Sequence, residues 1–267
     1  MHAVGIEDQV RDFYDETGWQ ADAADAEAVY GDARLWEDLR PCAAEYVTAC
    51  RRKVLQFLPG SGDRILDAGS GPIQYPEYLE YSQGFSKRVC VDLSQHALDE
   101  ARKKLGDHGE YVRASLLELP FPADSFDAAV SLHTIYHIDS SRQEDAVREL
   151  LRVLKPGARA VVVYANPDRL AARLKALARR PRAVSGPIYF FAHPLSWWNR
   201  FAAEAGVQLV PWRSLNANES RALIPDNRLG AGIFRAVLAY ERAAPGLAVR
   251  LGCYPMIVLT RRGRGSA

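Results

Sequence analysis

The sequence predicts an α/β fold, a seven-stranded and mostly parallel sheet with helices on both faces, preceded by a helical segment. Three observations predict it. From Arg64 onward, short β-branched runs alternate with helical periods, the pattern of strands joined by crossover helices. The first run, RILDAGSGPIQ at 64–74, breaks into two glycines one residue apart, where backbone can approach a ligand closely. The chain has 267 residues, 48% of them hydrophobic and 25% charged, enough for one large domain or a domain with a cap.

Taken in order, residues 6–58 read as helical, broken near Gly18, Gly31 and Pro41. We read 1–60 as an N-terminal helical lid or cap and 61–267 as the main domain. Its strands are expected at Arg64–Ala68, Arg88–Asp92, Tyr111–Arg113, Phe126–Leu132, Ala158–Tyr164, Val207–Trp212 and Tyr254–Thr260. Helices are expected near 74–83, 94–105, 141–154 and 195–205. Ser94 is a serine N-cap after the second strand, and Lys155-Pro156-Gly157 stops the helix before the fifth. Two segments fall outside the alternation, near 168–194 and 216–252, and are read as cap insertions over the strand ends, where loops carry specificity. The RRGRGSA tail is expected to fray.

Composition narrows the classes of function. The longest uncharged apolar stretches fall far short of the roughly 20 residues of a membrane span, and the N-terminus has acids where a signal peptide has bases. The four cysteines, at 42, 50, 90 and 253, form no C-x-x-C pair and have no histidine at metal spacing. They read as buried thiols in a reducing compartment, so a cytoplasmic protein without a metal is expected. The formal charge is +1, but residues 1–40 hold eleven acids against three arginines, and residues 169–267 hold sixteen bases against four acids. The plain reading is two solvated faces that attract each other; the sharper one is a basic surface for an anionic partner. The bases are not interleaved with any RNA- or DNA-binding module, so nucleic acid is not an expected partner.

The glycine turn carries the chemistry. A dinucleotide fingerprint would be G-x-G-x-x-G, but Gly69 and Gly71 are followed by Pro72, Ile73 and Gln74, and the third glycine is missing. Asp67 ends the strand just before the turn, where its charge would repel a pyrophosphate and welcome a cationic amino group. Asp92 ends the second strand, placed to accept both hydroxyls of a ribose. Five blocks then follow one another: LDAGSGP, VCVDLS, LELPFPADSFDAAVS, IYHI and ELLRVLKPGARAVV. In their order and spacing, the run from Arg64 to Tyr164 resembles a class I S-adenosylmethionine-dependent methyltransferase with its Rossmann-like sheet.

The resemblance implies S-adenosyl-L-methionine as cofactor and S-adenosyl-L-homocysteine as product. It implies that Asp67, Gly69 and Gly71 line the methionine end, and that Asp92 holds the ribose with Leu93 beside the adenine. Ser115 and Leu116 fall where the family has an acid and a small residue near the adenine ring, and Leu132 and His133 border the methionine arm. There are two departures: Ile73 stands where the family often has glycine, and Ser115 replaces the common aspartate. A serine hydroxyl can still accept a hydrogen bond from the adenine amino group. Tyr14 sits on an N-terminal helix that folds over the cofactor in related enzymes.

Methyl transfer from a sulfonium needs mainly alignment and exclusion of water. A general base helps only where a hydroxyl acceptor must lose a proton. The candidates are His133, expected to face the cofactor, and His137, which aligns with a histidine common in the family. The stretch 169–182 holds six bases with leucines at 170, 174 and 177, a basic amphipathic helix read as a cap with a solvated face. The alternative is docking on an anionic membrane or an acidic carrier protein. Tyr189, Phe190, Phe191, His193, Trp197 and Trp198 suit an apolar pocket wall, which Trp212, Tyr240 and Tyr254 would extend. The expected activity is methyl transfer to oxygen or nitrogen of a small, partly apolar metabolite. The alternatives are a lipid or quinone acceptor at a membrane surface, or a protein of this fold that binds the cofactor without transferring the methyl. The sequence sets no oligomeric state.

Overall fold

The computed structural model describes residues 5–21, 29–169 and 188–263. Seven strands form one sheet: β1 (Gly62–Ala68), β2 (Phe85–Asp92), β3 (Gly109–Arg113), β4 (Phe126–Leu132), β5 (Leu154–Val163), β6 (Ala205–Arg213) and β7 (Tyr254–Arg261). Their spatial order is β3-β2-β1-β4-β5-β7-β6. The first five run parallel, and β7 inserts antiparallel between β5 and β6. Parallel strands must be covered on both faces, and alternate side chains divide between two cores accordingly. Leu66, Ala160, Val162 and Ile257 pack on one face with Ala146, Val147 and Leu150 of a crossover helix. Ile65, Val161, Val163 and Met256 pack on the other with Tyr46, Val47, Phe234 and Leu238. Each fully buried Val, Leu or Ile contributes about 1.5–3 kcal/mol.

The helices are α1 (Ile6–Phe13), α2 (Gly31–Trp36), α3 (Ala44–Arg52), α4 (Pro76–Leu79), α5 (Gln95–Leu105), α6 (Gln143–Val153), α7 (Ala217–Leu223), α8 (Arg228–Ala243) and α9 (Pro245–Leu251). The N-terminal segment breaks where its sequence suggests: a π-helical turn ends at Gly18, α2 begins at Gly31, and a 3-10 turn begins at Pro41. Ser94 caps α5 by accepting from the Ala97 amide at 3.0 Å. All four cysteines are buried and free. No helix among the described residues is long and apolar enough to cross a membrane.

Some expectations give way. The helix near 74–83 shrinks to α4 and a 3-10 turn at Glu80–Ser82, because Gly71 and Ile73 each take a positive φ and Pro76 sets the first helical position. The stretch near 195–205 is a 3-10 helix, Leu195–Phe201, with β6 beginning at Ala205. The segment near 216–252 is not a cap over the strand ends. Its apolar side chains Phe234 and Leu238 belong to the core with α3, so it forms part of the layer that a parallel sheet requires. The basic stretch 169–182 lies outside the described residues apart from Arg169, which forms a two-pronged pair with Glu219 at 2.7 and 2.9 Å.

Candidate active site

The ends of β1, β2, β4 and β6 and the start of β7 open together into a cavity of about 460 Å³. The register Arg213↔Tyr254 brings the last two elements to the same edge of the sheet as Asp67, Asp92 and Leu132. This edge of an open α/β sheet is where ligands bind.

The glycine turn is built for close approach. Gly69 and Gly71 have φ of +74° and +54°, and the amides of Gly69 and Ser70 both donate to the Val91 carbonyl, at 2.8 and 3.1 Å. A Cβ on Gly69 would lie 2.4 Å from the Thr134 side chain, and one on Gly71 would lie 2.9 Å from the Trp19 ring. Ile73 keeps a glycine-like φ of +51° despite its branched side chain. That conformation costs roughly 1–2 kcal/mol, and the fully buried side chain offsets it by packing against Leu98 and Ala101.

The two strand-end acids are held differently. Asp67 is already paired: the Nε of buried Arg88 donates to its Oδ2 at 3.1 Å, and a second guanidinium nitrogen donates to the same oxygen. Among the described residues, no guanidinium is bonded to Asp92. Its Oδ2 accepts from the Gly71 amide and its Oδ1 from the Ser94 amide, each at 2.9 Å. Burial pushes its carboxyl up to about 6, against the pull of those two amides. Leu93, Leu116 and Leu132 line the cavity beside these acids. Ser115 donates to Glu7 Oε1 and accepts from the Leu117 amide at 3.0 Å.

The N-terminal strap closes over this end. Glu7, Val10, Arg11 and Tyr14 all line the cavity, at the i, i+3, i+4, i+7 spacing of one helix face. Tyr14 stacks on Trp19 with centroids 4.6 Å apart, and Ser94 donates to Asp15. Asp32 of α2 also faces the cavity, its carboxyl pushed up to about 6 by burial.

Both histidines are neutral near neutral pH. His137 Nδ1 lies 2.7 Å from the Tyr189 carbonyl and Nε2 lies 3.4 Å from the Tyr14 hydroxyl. A carbonyl only accepts, so Nδ1 carries the proton and Nε2 presents a lone pair to the cavity side. His133, with φ of +61°, has ring contacts to Trp212 and Tyr254 at 4.8 and 5.1 Å. Its Nδ1 lies 2.7 Å from the Tyr136 hydroxyl. Burial holds His133 down at about 3 and His137 at about 4.

Trp212, Tyr254, Ile188 and Phe190 give the cavity apolar walls. Of the other aromatics expected there, Trp198 is buried in the core, His193 stacks on Trp197 at 4.6 Å, and Tyr240 is not among the lining residues. Beside the Trp212 ring, Arg213 forms two bonds with Glu37 at 2.7 and 3.0 Å. Glu37 also accepts from Arg51 at 2.7 Å, and Arg51 reaches Glu77 at 3.3 Å. Sequence reasoning missed Glu7, Trp19, Asp32, Glu37, Arg88 and Arg213. The helical spacing of 7, 10, 11 and 14 was the available signal for Glu7; the others meet their partners only through the fold.

Residues 66–162 match the family described as "Methyltransferase domain". A demethylmenaquinone methyltransferase of Clavibacter sepedonicus is 32% identical over 156 residues, 58% of this chain and 57% of that protein. A ubiquinone/menaquinone biosynthesis C-methyltransferase of Pseudomonas fluorescens is 34% identical over 112 residues, 39% of this chain and 42% of that protein. The chain thus spans about half the length of the curated relatives it matches. Among solved structures, the N-methyltransferase NodS of Bradyrhizobium japonicum in complex with S-adenosylhomocysteine superposes with a TM-score of 0.59 at 14% identity, covering 96% of this chain and 100% of that one. Geranyl diphosphate C-methyltransferase of Streptomyces coelicolor gives 0.52 at 20% identity, covering 80% and 77%. These likenesses are of fold.

Proposed function

We propose that the chain is a class I S-adenosylmethionine-dependent methyltransferase that transfers the cofactor's methyl group to oxygen or nitrogen of a small, partly apolar acceptor, a reading supported by the family match over residues 66–162. The observation that carries this is a glycine turn with no room for a Cβ beside Asp92, whose carboxylate is held among the described residues by backbone amides. Such a site suits the ribose of a nucleoside, and the missing third glycine sets the turn apart from a dinucleotide fingerprint.

The residues present fit the cofactor. Asp92 would accept the ribose hydroxyls, Gly69 and Gly71 would let the nucleoside lie on the backbone, and Leu93 and Leu116 would flank the base. Asp67, Gly69, Leu132 and His133 would border the methionine arm, with Tyr14 and Asp32 closing over it from the strap side. When bound, the cofactor supplies a methyl group on a sulfonium that is a good leaving group. The protein's share is alignment, worth up to roughly 7–11 kcal/mol, and walls of Tyr136, Phe190, Trp212 and Tyr254 that exclude water. His137 Nε2 is the better-placed proton acceptor, with its lone pair fixed by the Tyr189 carbonyl. A group held at about 4 is a weak base, so positioning carries most of the rate.

The named relatives favour a second acceptor class, a quinone precursor, which the same aromatic walls would accommodate. Calorimetry with S-adenosylmethionine and S-adenosylhomocysteine tests the cofactor reading, and absence of binding by the wild type ends it. Transfer from methyl-labelled cofactor into a metabolite extract, against a demethylated quinone, separates the acceptors. Binding with no labelled product from any acceptor would mark a protein that keeps the cofactor and not the transfer.

A further inference from the structure

We propose that Glu7, on α1, supplies the carboxylate that reads the amino edge of the adenine ring, so that the nucleoside pocket is complete only with the strap closed. This rests on the reading that the cavity takes an adenosine-bearing cofactor. Adenine presents an exocyclic amino group, two N–H donors that need an acceptor once buried. The slot beyond Asp92 is flanked by Leu93 and Leu116, whose side chains can accept nothing. Ser115 sits at this end, but its proton goes to Glu7 and the Leu117 amide already donates to its oxygen. The carboxylate at this end is that of Glu7, which itself lines the cavity. Its Oε1 takes the Ser115 hydroxyl; its Oε2 accepts no hydrogen bond among the described residues, where Arg142 is near enough to attract the carboxylate. A carboxylate carries about four lone-pair sites, so it can hold Ser115 and the amino group together.

The strap reaches this register without help from Glu7. Ser94 donates to Asp15, His96 Nε2 lies 3.3 Å from the Trp19 carbonyl, and the Trp19 ring covers Gly71. Changing Glu7 therefore alters the reading of the base while those anchors still hold the strap.

Calorimetry with S-adenosylhomocysteine and with S-inosylhomocysteine tests the proposal, because the second ligand replaces the amino donor with an oxo acceptor. A hydrogen bond to a charged group contributes roughly 1.5–3 kcal/mol, so the wild type should prefer the adenine ligand by about tenfold to a hundredfold. Glu7→Gln and Glu7→Ala should shrink that preference to within about threefold. Adding Ser115→Asp to Glu7→Ala should restore it by placing a carboxylate at the same end. Preference unchanged in both Glu7 variants overturns the proposal. So does an equal loss of affinity for both ligands, which would give Glu7 a role in strap closure alone. A wild type that binds neither ligand sinks the cofactor reading instead.

Discussion

Asp67 was legible in the sequence as an acid ending a strand before a glycine turn; its partner was not. Arg88 sits 21 positions away on the neighbouring strand, and only the parallel register, with Asp67 opposite Cys90, brings the two together. An arginine in an apolar run of β2 otherwise reads as an edge residue, whereas here it is buried. The pair changes what a charge-neutralising variant measures. Removing one member of a buried ion pair leaves the other uncompensated and costs about 3–5 kcal/mol. Arg88→Met should lower the unfolding free energy measured in urea by that amount, and Asp67→Asn/Arg88→Met should recover most of it. If the double variant is no more stable than Arg88→Met, the guanidinium is held by its bond to the Tyr78 carbonyl and not by Asp67. Among the described residues Asp92 has only amide hydrogen-bond partners, so its variants report on ligand with less interference from folding.

At the scale of elements, the strands read well because burial on both faces writes continuous apolar runs. The first crossover helix did not, since its start is decided by backbone angles at Gly71 and Ile73 that periodicity cannot see. The turn and the strap are one working unit: Gly71 leaves the space that Trp19 fills. Gly71→Ala imposes two penalties, a strained φ of +54° and a contact at 2.9 Å with the Trp19 ring. The backbone share is roughly 1–2 kcal/mol. Chemical denaturation should therefore find Gly71→Ala destabilised by more than that, and Trp19→Ala in the same chain should remove only the steric share. Full recovery in the double variant would mean that the turn tolerates a side chain at 71 and that only the strap forbids it.

Across the whole molecule, the uneven charge of the sequence finds its meaning in how the N-terminal segment meets the C-terminal half. One contact between the two ends is buried: Glu37 sits between Arg213 of β6 and Arg51 of α3, and Arg51 reaches Glu77 of α4. Composition showed the asymmetry; which acid met which base depended on the sheet order. Around this centre Ser220 donates to Asp38 and Arg40 donates to the Ile224 carbonyl, so the segment that follows α2 shares a seam with α7 and its C-terminal end. Burial alone would push the Glu37 carboxyl up, yet Arg213 and Arg51 hold it at about 2, below its ordinary 4.5. A carboxyl depressed on folding stabilises the protein above its unfolded value, and that share is lost as the pH falls from about 4.5 toward about 2. Glu37→Gln would leave two buried guanidiniums facing a neutral amide, at a cost of about 3–5 kcal/mol near neutrality. The gap between wild type and variant should then narrow as the pH drops through that window. Urea titrations at pH 7, 4.5 and 3 check it: a gap that stays constant with pH would show that Glu37 acts through packing and not through its charge.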